Sequence, residues 1–131
     1  MASTRATQLG YSGELTCAMQ VSDLDQGIAW YRDVLGFELL YRADDIGWCE
    51  LQTPIPGAGV TVGLSQVEKP MTRGGATLTF SVSDIDKARI MLEANKVRFD
   101  GDTLTIPGLV RLATFFDPDG NKFMFSQSLR K

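Results

Sequence analysis

Apolar and polar residues alternate over residues 14–21, the period of a strand with one buried face. At Ser22 the period changes. Leu24, Ile28, Tyr31 and Leu35 then recur at steps of four, three and four, which puts them on one face of a helix. Ser22 is read as the residue that caps this helix, with Asp23 and Asp25 favourable in its first turn and Gly36 as its stop. Three strand-like runs follow at 37–42, 48–53 and 60–65. Asp44, Asp45 and Gly47 mark the first turn between them, and Pro54, Pro56, Gly57 and Gly59 the second.

The second half repeats the first. Residues 76–82 alternate; Ser83, Asp84 and Asp86 open a helix carrying Ile85, Ala88, Met91 and Leu92; Asn95 ends it. Strands are expected near 103–106, 110–116 and 122–126, with the turn Asp117-Pro118-Asp119-Gly120 before the last. Val21-Ser22-Asp23-Leu24-Asp25 maps onto Val82-Ser83-Asp84-Ile85-Asp86, a step of 61 residues, and the same step carries Gly59 onto Gly120. The chain therefore reads as one strand-helix-three-strand unit used twice. The expected organisation is an N-terminal arm over 1–13 and a single domain over 14–131, with modules at about 14–68 and 75–128.

Composition narrows the chemistry. The 131 residues include no His, which removes every mechanism that needs imidazole from within one subunit: His-containing zinc sites, two-His-one-carboxylate iron, and Ser-His or Cys-His pairs. The two cysteines, Cys17 and Cys49, fall inside apolar strand patterns and read as buried free thiols, which points to a reducing, cytoplasmic setting. A formal charge of -3 without a Lys/Arg cluster gives no electrostatic basis for nucleic acid or an anionic membrane. No stretch approaches the ~20 apolar residues that a membrane helix needs.

Three motifs, in this order, resemble the vicinal oxygen chelate superfamily, which includes glyoxalase I, bleomycin-resistance proteins and extradiol dioxygenases. They are Val21-x-Asp23-Leu24; Trp30-Tyr31-Arg32-Asp33-Val34-Leu35-Gly36-Phe37; and Asp117-Pro118-Asp119-Gly120-Asn121. The resemblance implies an α+β fold in which two tandem βαβββ modules form a curved mixed sheet around a cleft, with helices on the convex face. It also implies a homodimer. Metal enzymes of the superfamily take ligands from the first and last strand of each module, and those positions correspond here to Thr16, Gly63, Thr77 and Met124. None is a His or a carboxylate, so no metal and no other cofactor is expected.

Strand parity assigns the cleft face independently of the resemblance. Leu15, Cys17, Met19 and Val21 suit the core, leaving Thr16, Ala18 and Gln20 toward the cleft; Thr77, Thr79 and Ser81 follow by the same rule. Val62 and Leu64 leave Thr61, Gly63 and Ser65, and Phe123 and Phe125 leave Lys122, Met124 and Ser126. Cys49 and Leu51 leave Trp48, Glu50 and Gln52, whose counterparts at the 61-residue step are Leu109, Arg111 and Ala113. The candidate binding residues are thus Thr16, Gln20, Trp48, Gln52, Gly63, Thr77, Thr79 and Met124. Glu50 and Arg111 are the catalytic candidates, as base and as anchor for an anion or carbonyl. The expected function is metal-independent binding or sequestration of a small planar or neutral molecule, with Trp48 as a stacking surface. The alternative is a lyase or isomerase that uses Glu50 as its base.

Overall fold

The computed structural model describes residues 15–130 as a continuous run; the expected arm over 1–13 lies outside it. Strand β1 (Leu15–Val21), helix α1 (Leu24–Asp33) and strands β2 (Glu38–Ala43), β3 (Trp48–Gln52) and β4 (Val60–Gln66) form the first module. The second comprises β5 (Leu78–Ser81), α2 (Ile85–Ala94), the short β6 (Arg98–Phe99) and β7 (Leu104–Ile106), β8 (Val110–Phe116) and β9 (Lys122–Ser128). Each module builds one mixed sheet. The orders are β1-β4-β3-β2 and β5-β9-β8-β6, with β7 also paired to β8. In each sheet the first and last strands run parallel, joined through the module's helix and its intervening strands. This is the repeated α+β unit that the sequence pattern predicts.

Both helices start in the same way. Asp23 accepts a hydrogen bond from the Gln26 amide and Asp84 accepts one from the Lys87 amide, so Asp23 is the cap that was expected at Ser22. A glutamine at or next to the end of each sheet's last strand completes each start: Gln66 Oε1 accepts from the Leu24 amide and Gln127 Oε1 from the Ile85 amide, both at 2.8 Å. These bonds satisfy amide donors that no helix can satisfy internally. At the other end Gly36 adopts φ +77°, as its position predicts, while in the second module Lys96 takes the left-handed conformation at φ 63°.

One apolar core serves both modules. Tyr31 of α1, fully buried, lies 5.7 Å from Phe37 and 5.9 Å from Phe123 of β9, and Phe37 meets Phe80 of β5. Leu24 and Ile28 join Tyr31 inside as the helical spacing predicts. Met91 does not. It is 58% exposed, because α2 buries only Ile85 and Leu92 fully. Since the helix-side faces of both sheets enter this single core, the opposite face of each sheet looks away from it.

The second module also departs from strict repetition. Glu50 pairs with Gly63 whereas Thr114 pairs with Met124, so the step to the last strand is 13 residues in one hairpin and 10 in the other. The difference is odd, and an odd shift turns every side chain of the strand to the other face. In β8 the core residues are accordingly Ala113 and Phe115, and the outward ones are Leu112, Thr114 and Phe116.

Candidate functional site

On the outward face of the first module, polar side chains from four strands converge. Trp48 Nε1 donates to Tyr41 Oη at 3.2 Å, and Tyr41 Oη donates to Glu50 Oε1 at 3.2 Å. Thr61 Oγ1 donates to the other carboxylate oxygen, Oε2, at 3.2 Å and shares a 2.8 Å bond with the Thr16 hydroxyl. The register explains the meeting: Tyr41 lies opposite Glu50, Glu50 opposite Gly63, and Thr16 opposite Thr61. Thr61 is only 5% exposed, sealed between its two partners.

The six-membered ring of Trp48 fills the space above Gly63. A Cβ built on Gly63 would overlap the indole carbons Cη2 and Cζ2, so no side chain at this position coexists with the present rotamer. Glycine is needed here for close approach; its φ is not in the left-handed region. The indole itself is half-buried.

The remaining candidates separate. Gln52 directs its amide to the carbonyls of Thr53, Ala58 and Val60, bracing the loop between β3 and β4. Gln20 Oε1 accepts from the Met71 amide, holding the inter-module linker against β1. Thr79 and Met124 are register partners on the outward face of the second sheet. Gln20 and Thr77 line one cavity of about 940 Å³ between β1, the linker and the β8–β9 turn. No hydrogen bond among the described residues joins Thr16, Trp48 or Glu50 to Thr77, Thr79 or Met124.

Arg111 is not a partner of Glu50. Its guanidinium forms two bonds with the Asp86 carboxylate, at 2.9 and 3.0 Å, and a third with Thr105 Oγ1, on the helix side of the second sheet. The Arg111 hydrogen bonds hold the Asp86 carboxyl below its ordinary range. The expectation that Arg111 faces a cleft fails through the shorter β8–β9 hairpin described above. Tyr41 is the residue that the sequence reading missed. A register shift in β2 between Leu39 and Tyr41 sets its parity, and the local alternation gave no signal of it. Burial pushes the Cys49 thiol up, away from the reactive thiolate.

The two halves of the chain, their shared core and the outward sheet faces fit one family. A model of the Glyoxalase/Bleomycin resistance protein/Dioxygenase superfamily matches residues 15–125. The chain belongs to this superfamily. Among solved structures of the superfamily, a member from Sphaerobacter thermophilus DSM 20745 is 26% identical with a TM-score of 0.74, over 90% of this chain and 98% of that one. TnmS3, an antibiotic binding protein from Streptomyces sp. CB03234, is also 26% identical, with a TM-score of 0.71 over 91% and 98% of the two chains. The fosfomycin resistance protein FosX from Listeria monocytogenes shares the fold at 17% identity, with a TM-score of 0.75 over 90% and 94%. No curated protein matches the sequence.

Superfamily enzymes that use a metal require ligands that these positions do not offer. Thr16 spends its hydroxyl on Thr61, Gly63 lies under the Trp48 ring, and Met124 presents a thioether. Among the described residues no group of three or more Cys, Asp or Glu side chains gathers to replace them. The set does not fit a divalent cation.

Proposed function

We propose that the protein binds a small planar molecule on the outward face of its first module, without a metal, and sequesters it. The observation that carries this reading is the Trp48 indole standing over Gly63, tied through Tyr41 to Glu50. An aromatic surface fixed by a hydrogen bond offers stacking area with little entropy left to lose. Tyr41 and Thr16 add exposed hydroxyls that can exchange their internal bonds for bonds to a ligand, while Glu50 and the buried Thr61 orient them. The likeness to an antibiotic binding protein supports the same reading. A catalytic role for Glu50 lacks its second member, because Arg111 lies on the other side of its sheet.

The outward face of the first module lies open beside Trp48, and a second chain would cover it; the homodimer is part of the proposal. The two free thiols suit a reducing, cytoplasmic setting.

A thermal-shift screen of planar aromatic antibiotics and neutral metabolites tests the reading, since a ligand of the native state raises Tm. At least one compound is expected to give a saturable rise, and Trp48→Ala to weaken it by about tenfold or more. Added zinc or manganese should change neither affinity nor Tm. Binding that ignores Trp48→Ala, or that requires a stoichiometric metal, would overturn the proposal.

A further inference from the structure

The outward faces of the two sheets differ in charge. By register, the first presents Glu38 and Glu50 and no Lys or Arg. The second presents Arg98 and Lys122, both opposite Phe116, and no Asp or Glu. Arg98 and Lys122 also line the cavity of about 940 Å³, where Arg73 of the inter-module linker joins them. Among the described residues none of these three cations forms an ion pair, whereas Arg32, Arg42, Arg89 and Arg111 all do. The cavity's one carboxylate, Asp119, already accepts the Ser22 amide. In a chain of net charge -3, three cations without a carboxylate partner thus converge on one cavity.

The cavity is shaped as well as charged. The Arg98 guanidinium lies 4.1 Å from the centre of the Phe116 ring, which holds its plane while leaving its N–H groups free to donate. Met19, Leu78 and Phe116 supply apolar wall, and the volume suits a small organic molecule. Phe116 and its neighbours would contact the ligand's body, and the cations its charged end.

We propose that this cavity is a second binding site, for a small organic oxyanion, a carboxylate or a phosphate ester carried on an apolar or aromatic body. Arg98 and Lys122 bind the oxyanion and Arg73 closes over it from the linker. The site is independent of Trp48 and does not rest on the ligand proposed for the first module.

The test is titration calorimetry of the full chain with phenyl phosphate, benzoate and uncharged benzamide at constant ionic strength. Saturable binding of at least one anion, absent for benzamide, is expected. Both Arg98→Gln and Lys122→Gln should weaken it by about tenfold or more, the scale of one hydrogen bond to a charged group. Lys122→Gln removes a solvent-exposed cation without disturbing the Arg98–Phe116 stack, so a folding defect in the first variant leaves the second decisive. Trp48→Ala should leave the anion's affinity unchanged, which separates failure here from failure of the first site. Equal binding of benzamide, no saturation with either anion, or affinity unaffected by Lys122→Gln would overturn the assignment. If phenyl phosphate binds and benzoate does not, the site is one for phosphate esters; the reverse makes it a carboxylate site.

Discussion

Asp117 accepts four hydrogen bonds while only 4% exposed: from Tyr31 Oη at 2.7 Å, from Asn121 Nδ2, and from the amides of Asp119 and Asn121. Asn121 Nδ2 also donates to the carbonyl of Gln20, so Asp117 and Asn121 together tie the second module to α1 and β1. Burial, reinforced by the Asp117 charge, pushes the Tyr31 hydroxyl well above its ordinary value. Burial also raises the Asp117 carboxyl, against its hydrogen bonds. Tyr31→Phe leaves a buried carboxylate one donor short and is expected to lower stability by about 2 kcal/mol at neutral pH. Because the folded phenol titrates higher than the unfolded one, its contribution is complete below about pH 10 and is lost as pH rises through the folded value. The gap between wild type and Tyr31→Phe in urea denaturation should therefore narrow above about pH 10; a constant gap would refute the coupling. No residue pattern links this pair, since Tyr31 reads as core and Asp117 as a turn former. Their contact joins residues 86 positions apart.

At the scale of elements, β3 and β4 show how a side chain and a missing one make a single unit. Trp48 needs the space above Gly63, and Gly63 needs nothing but to remain glycine. Gly63→Ala forces the indole from its place and is expected to cost about 1–3 kcal/mol, the usual scale of overpacking. In a Trp48→Ala background the same change should cost far less, and a double-mutant cycle by denaturant titration measures the coupling. Additive losses would show that the ring and the backbone do not constrain each other. Helix positions were legible because a 3.6-residue period over ten residues is strong, and Leu24, Ile28, Tyr31, Ile85 and Leu92 are where it puts them. The two-residue β6 was not legible, since Arg98 and Phe99 are too few to alternate. The outward set of β8 differs from the expected one for another reason: strand parity is local, and the 61-residue step, carried across a hairpin of different length, assigns the wrong face to Arg111 and Ala113.

For the whole molecule, the decisive fact is that two sheets share one core through Tyr31, Phe37, Phe80 and Phe123. Each outward face is left open, and in the proposed dimer a second chain covers that of the first module. Light scattering on the purified protein is expected to give a particle of two chains, and a dissociated monomer should bind the planar ligand more weakly. A monomer that binds it with full affinity would show that one sheet face suffices.

The sequence by itself determined the repeated unit, the helices, the core faces of β3, β4, β5 and β9, that of β1 apart from Leu15, which is 62% exposed, and the absence of histidine from every site. Those properties are local, set by periodicity and composition. Tertiary structure alone decided that Trp48 covers Gly63, that Tyr41 joins Glu50, that Arg111 pairs with Asp86, and that three cations surround one cavity. Each of these depends on register or on the approach of distant segments, and no local period encodes either.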